Sequence, residues 1–235
     1  MNTLSRKQRE IQERENRILE VSRPILLREG YHGLRMDRVA EQLEYSKGTI
    51  YNHFDCKEEI IIALAIQTTE KRLQLFQQAA SFQGRPRERM VAIRIATELF
   101  VMSYPEHFLV EQIIRGPSIW EKASEKRRNT MRSCESRCMG IVAGIVRDAI
   151  ARNDIRLPAE MTPEDLVFGL WSLTYGAHTI IKTTDSLSEL GIAKPFYSSP
   201  PKYPTYAGRL SMETAKHQAR LPRRRRKDQA RGIFG

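Results

Sequence analysis

Arg35 to Phe54, RMDRVAEQLEYSKGTIYNHF, reads as two short helices joined by a tight turn. Met36, Val39, Ala40 and Leu43 recur at spacings of three and four, which puts them on one face of the first helix. Ser46 opens the second helix, because its hydroxyl can accept from a free backbone N–H. Ile50 and Phe54, four apart, form the buried side of that helix. Lys47, Gly48, Thr49, Tyr51, Asn52 and His53 are left facing outward. That face offers a cation, hydroxyls, an amide, an imidazole and a small residue permitting close approach. These are the groups with which a helix reaches base edges and phosphates in a major groove. On these residues alone, a helical hairpin with a merely solvated polar face reads the same way.

Further residues decide between the two. Gly30-Tyr31, the Val39-Ala40 pair, Ser46-Lys47-Gly48-Thr49-Ile50-Tyr51-Asn52-His53-Phe54 and Lys57-Glu58 together resemble the DNA-binding domain of tetracycline-repressor (TetR) family regulators. The resemblance is dense from about Ile18 to Leu64 and only architectural beyond. It implies a homodimeric, ligand-responsive transcription regulator, usually a repressor, whose two recognition helices read a palindromic double-stranded DNA operator. DNA contact then falls to Ser46, Lys47, Gly48, Thr49, Tyr51, Asn52, His53 and Lys57. Lys47, Tyr51, His53 and Lys57 would hold phosphates, while Thr49 and Asn52 would touch bases. An unidentified small molecule in the core would tilt the helix starting at Lys57 and change the separation of the two reading heads.

Two positions depart from the family pattern. Glu44 stands in the turn where glycine is usual, and a left-handed non-glycine residue there costs about 1 kcal/mol. Arg35 stands where Thr or Ser usually caps the first helix. Losing such a cap costs ~1 kcal/mol, which Asp37 in the first turn partly offsets through the helix dipole.

The 235 residues suffice for one or two domains with a substantial core. The net charge of +11 is unevenly spread. Residues 1–60 hold 11 Lys/Arg against 11 Asp/Glu, whereas residues 191–235 hold 11 against 2. Basicity therefore marks a tail and not the reading head. Cys56, Cys134 and Cys138 make an odd set with no disulfide framework. No apolar run approaches a membrane span, and the N-terminus lacks the apolar core of a signal peptide, so a cytoplasmic, reduced protein is expected.

Along the chain the pattern is helical throughout, and the fold class is all-α: an N-terminal three-helix helix-turn-helix domain followed by a helical ligand-binding and dimerisation domain. Leu4 to Glu29 forms a first helix bent at Pro24, ended by Gly30, with Arg6, Lys7 and Arg9 ahead of its apolar stripe. These cations serve either as an arm for phosphates or as a solvated terminus. Helices are expected over Lys57–Ser81, Arg87–Ser103, Pro105–Arg115, Ser118–Ala151 and from Pro163 to about Thr184. The organisation that follows is residues 1–56 for DNA binding, 57–190 for ligand and dimer, and 191–235 as an atypical, disordered basic tail.

That tail carries five prolines and the run Arg223 to Lys227 where the family continues with a second dimer helix. A frameshift near Ala193 or a diverged genuine tail would each explain it, and either weakens the homodimer. The alternative function is a truncated or frameshifted regulator adhering non-specifically to nucleic acid through this tail. A helical sensing module without DNA binding is a third reading.

Other chemistry is thin. Cys134 and Cys138 share a helix face but lack further ligands nearby, which favours core packing over a metal or redox site. His107 and His178 read as structural residues or as pocket lining. Neither a phosphate-cradling glycine loop nor a nucleophile elbow nor zinc spacing occurs, so no enzyme, cofactor or metal is expected. Phe100, Tyr104, Phe108, Trp120, Trp171 and Tyr175 fall on helices that form the ligand pocket in TetR-like regulators, though aromatics at helical spacing are also plain core.

Overall fold

The helix-turn-helix stretch folds as its periodicity dictates. In the computed structural model, which describes residues 5–184 with 187, 189 and 191, α1 is Arg6–Gly33, α2 Met36–Leu43 and α3 Lys47–Tyr51. Ser5 caps α1 through a reciprocal pair of hydrogen bonds with Gln8. Arg6, Lys7 and Arg9, expected ahead of the stripe, lie within its first turn and are exposed. Gly30, with φ 69° and ψ −170°, breaks α1 into two helical pieces, a conformation that favours glycine. Arg35 begins α2 without any side-chain cap, as its chemistry requires. Glu44 ends α2 at φ 56° and ψ 33°, the left-handed conformation that the turn demands whichever residue occupies it.

Beyond α3 the described residues form α4 Lys57–Ala80, α5 Pro86–Ser103, α6 Pro105–Ile113, α7 Pro117–Lys122, α8 Glu125–Ala151 and α9 Pro163–Thr183. They contain no strand. One expectation fails: the single helix read over Ser118–Ala151 is two. Ala123 is extended (φ −74°, ψ 145°), and Ser124 Oγ accepts from Arg127 N at 3.4 Å to start α8 afresh. The Ser124 backbone N–H donates to Glu59 of α4, which holds the break open from outside the segment. The changed character expected beyond Gly191 lies outside the described residues.

Two compact units emerge. Of the described residues, the first comprises those up to Gln74 together with Tyr104–Cys138, the second Leu75–Ser103 together with those from Met139 on. The division between them falls within α4 and α8. In the first unit, Ile18, Ile25 and Leu26 of α1, Val39 of α2, Ile50, Phe54, Ile60 to Ala65 of α4, Val110 of α6, Ile119 of α7 and Met131 of α8 share one buried cluster. Each of these side chains larger than alanine contributes about 1.5–3 kcal/mol relative to exposure. Buried carboxylates in this unit are paired: Glu111 with Arg72 at 2.5 Å, Glu59 with Arg127 at 2.5 Å and Glu58 with Lys122 at 3.4 Å. Cys134 and Cys138 are buried in α8, and burial pushes both thiols up, away from the reactive thiolate.

The second unit buries Ala92, Ile93, Ile95, Ala96 and Phe100 of α5, Val142, Ile145 and Val146 of α8 and Val167 of α9. Arg89 pairs with Asp148 at 3.1 Å. Thr162 and Asp165 form a reciprocal cap on α9 behind Pro163. No helix among the described residues is long and apolar enough to cross a membrane.

Candidate nucleic-acid interface

Helix α3 is only five residues long, so its shape depends on what surrounds it. Ser46 Oγ accepts from Thr49 N at 3.1 Å and lies 2.8 Å from Thr49 Oγ1, which fixes both hydroxyls at the start of the helix. Ile50 and Phe54, fully buried, pull the opposite face into the core, and α2 packs against α3. Ser46, Lys47, Gly48, Tyr51 and Asn52 are exposed, and Thr49 is half-buried. Tyr51 is 48 % exposed, a large flat group with no structural reason to stand in water. A Cβ added to Gly48 would meet only Ser46 Oγ at 3.8 Å, so the fold itself leaves that spot open.

The cations of this region are not all outward. Lys47 Nζ pairs with Asp37 Oδ2 at 2.8 Å across the turn, and that contact raises the lysine's pKa while its side chain stays 67 % exposed. His53, read from its spacing as outward, is only 8 % exposed in its side chain and faces Glu15 Oε1 of α1 at 3.9 Å. Lys57 Nζ donates to the Tyr31 carbonyl oxygen at 2.9 Å and sits 3.8 Å above the Tyr31 ring. The Tyr31 hydroxyl donates to Glu58. Burial works to raise the Glu58 carboxyl but is outweighed by that hydrogen bond, helped by Cys56 and Lys122, so its pKa is lowered. Sequence reasoning missed Asp37, Glu15 and Tyr31 as partners, because the first pairing depends on how α2 meets α3 and the other two on how α1 meets the helices that follow it.

The six aromatics expected to line a pocket divide between the units. Tyr104, Phe108 and Trp120 belong to the first, where Phe108 is buried and Trp120 packs on the core cluster. Phe100, Trp171 and Tyr175 belong to the second, with Phe100 buried in α5. The Trp171 ring lies tilted against Tyr175 and Phe168, with centroids 5.8 Å apart in each pair. On α9, Phe168, Leu170, Leu173 and Ile180 are exposed, Phe168 and Leu173 by 58 % and 59 %. No group of three or more metal-ligating side chains occurs among the described residues.

Comparison with known proteins agrees with this geometry. Residues 18–64 match the family model for bacterial regulatory proteins of the tetR family. The HTH-type transcriptional regulator UidR of Escherichia coli strain K12 is 28 % identical over 194 residues, 80 % of this chain and 91 % of that protein. Among solved structures, the TetR family regulator PfmR of Thermus thermophilus superposes with a TM-score of 0.57 at 16 % identity, over 83 % of this chain and 96 % of that one. FadR of Bacillus subtilis, solved in complex with stearoyl-CoA, gives a TM-score of 0.57 at 17 % identity, over 74 % and 92 %.

Proposed function

We propose that this chain, which belongs to the TetR family of DNA-binding transcriptional regulators, acts as a homodimeric repressor released from its operator by a small molecule. The observation that carries the reading is α3: a capped helix, anchored by Ile50 and Phe54, with Tyr51 and Asn52 exposed together. Thr49 and Asn52 touch base edges, and Ser46, Gly48, Lys47 and Tyr51 serve the approach to phosphates. His53 and Lys57 act at one remove, His53 by seating α3 near Glu15 and Lys57 by joining α4 to Tyr31. Residues 1–56 are the reading head, 57–190 the sensing and dimerisation part, and 191–235 a basic tail adding sequence-independent attraction to phosphates.

The homodimer is supported by α9, whose exposed Phe168, Leu170, Leu173 and Ile180 present more apolar surface than a solvated helix needs. Two heads in one dimer then read half-sites about 34–36 Å apart. The ligand reading is supported by the fold shared with FadR of Bacillus subtilis, a transcriptional regulator solved in complex with stearoyl-CoA. Selection from a random DNA pool, under excess unrelated competitor, should return one palindromic site. Asn52→Ala should relax preference at one position of it, at a loss of about 1–3 kcal/mol. A pool with no enriched palindrome would refute the reading and leave only non-specific adhesion.

A further inference from the structure

His107 of α6 is the centre of a polar cluster outside α3. Arg23 of α1 places Nη1 3.2 Å from Nδ1 and 3.3 Å from Nε2 of the imidazole, and its Nη2 donates to Gln67 Oε1 of α4 at 2.8 Å. Thr68 Oγ1 of α4 lies 2.9 Å from the same Nδ1. Tyr104 meets the His107 ring edge-on at 5.7 Å, and Lys71 Nζ stands 5.1 Å from the centre of the Tyr104 ring. All six residues belong to the first unit.

Among the described residues no carboxylate oxygen lies within 4.0 Å of Lys71 Nζ, and burial lowers that lysine's pKa. Burial, with Arg23 and Lys71 adding their repulsion, pushes His107 down to about 3, so the ring is neutral. Glu106 Oε1 lies 4.0 Å from Nε2, and its side chain is 41 % exposed. A partly desolvated ammonium without a counter-ion is unfavourable in the free protein and is relieved by a bound anion. A guanidinium fork, an ammonium, a phenol and an imidazole N–H are also the donors that an oxyanion accepts from.

We propose that Arg23, Lys71, Tyr104 and His107 form a binding site for a small oxyanion, a carboxylate or phosphate borne by a small molecule, between α1, α4 and α6. Arg23 supplies the directional contacts and Lys71 the charge. Because Arg23 also holds Gln67 and His107, an anion that draws on its donors loosens the hold of α1 on α4 and α6. The chemistry of the site stands by itself; its consequence for DNA rests on the ligand-responsive reading above, in which the anion is the polar end of the effector.

The test uses the full chain labelled with 15N at histidine, at near-neutral pH and constant ionic strength. Inorganic phosphate and sodium hexanoate are titrated separately, with hexanol as the uncharged analogue. One anion or both should move the ring nitrogens of His107 saturably at millimolar concentration and leave the other four histidines in place, while hexanol does not. A response to hexanoate alone assigns a carboxylate, and one to phosphate alone a phosphorylated ligand. Lys71→Met should weaken binding about tenfold and Lys71→Arg should restore most of it. If neither anion moves the His107 signals, or if Lys71→Met binds like the parent, the site does not exist and the cluster is a structural fastening. Operator affinity separates the two readings. Anion binding that leaves it unchanged retains the site and removes the coupling, whereas failure to bind any operator without anion overturns the regulator reading instead.

Discussion

Replacing Glu44 by glycine should stabilise the protein, although it deletes a side chain and adds freedom to the unfolded chain. Glu44 sits at φ 56° and ψ 33°, exposed, and no contact among the described residues holds its carboxylate. Its backbone N–H still reaches Ala40 and Glu41 oxygens, and glycine keeps those bonds. For a residue with a Cβ this conformation costs roughly 1–2 kcal/mol. Glycine gives back about 0.5–1 kcal/mol through the greater entropy of the unfolded chain. The net gain is about 0.5–1 kcal/mol, a rise of roughly 1–4 °C in Tm for a chain of this size. Glu44→Ala is the control that removes the same carboxylate and keeps the Cβ, so it should gain nothing. Thermal unfolding of the three proteins in parallel decides the matter. Should Glu44→Gly melt no higher than Glu44→Ala, the strain assigned to this turn is absent.

Three further outcomes follow from the geometry. Gly48→Ala should leave Tm unchanged or higher, since the new methyl meets only Ser46 Oγ at 3.8 Å, yet weaken operator binding about tenfold; equal affinity by gel shift would mean that DNA does not come close at Gly48. Arg72→Met should cost about 3–5 kcal/mol in denaturant titration because it strands the buried Glu111 carboxylate, whereas Arg72→Met with Glu111→Leu should be near neutral; equal losses would show that packing alone is at stake. Tyr31→Phe should cost about 1–2 kcal/mol at neutral pH by removing the donor to Glu58. The folded Glu58 carboxyl lies below its ordinary 4.5, so its contribution is present above that value and lost as pH falls through the folded one. The gap between parent and variant, followed by urea unfolding, should therefore close in acid, and a gap independent of pH would detach Tyr31 from Glu58.

Legible in the sequence is whatever neighbouring residues decide. Ile50 and Phe54 as anchors, Ser46 as a cap, and the left-handed turn at Glu44 all depend on spacing within a few residues. His53 escapes such a reading because helical spacing gives a direction only relative to α3, and it is Glu15 on a distant helix that lies in that direction. Lys57 looks like a phosphate ligand for the same reason: the carbonyl that receives it belongs to Tyr31, just past the break at Gly30. The division between α7 and α8 does leave a local trace in Ser124-Glu125 and in the wholly polar run from Ser124 to Thr130, which the reading as one helix passes over. The pocket aromatics are chosen by type and helix, and neither says which unit a side chain joins.

Glu58 and Glu59 grip the two sides of the joint at Ala123, Glu58 through Lys122 and Glu59 through Ser124 and Arg127. The base of the reading head is therefore built from chain that is synthesised much later. Ile60 to Ala65 share their core with Val110, Ile119 and Met131, so a fragment cut after residue 64 would bare that surface and strand two acids. For anyone grafting this head onto another sensor, residues 104–138 are part of the transplant. Evolution meets the same constraint. A head diverging to read a new operator is free on the exposed side of α3, but beneath it every change at the start of α4 has to be answered in α6, α7 and the first turns of α8.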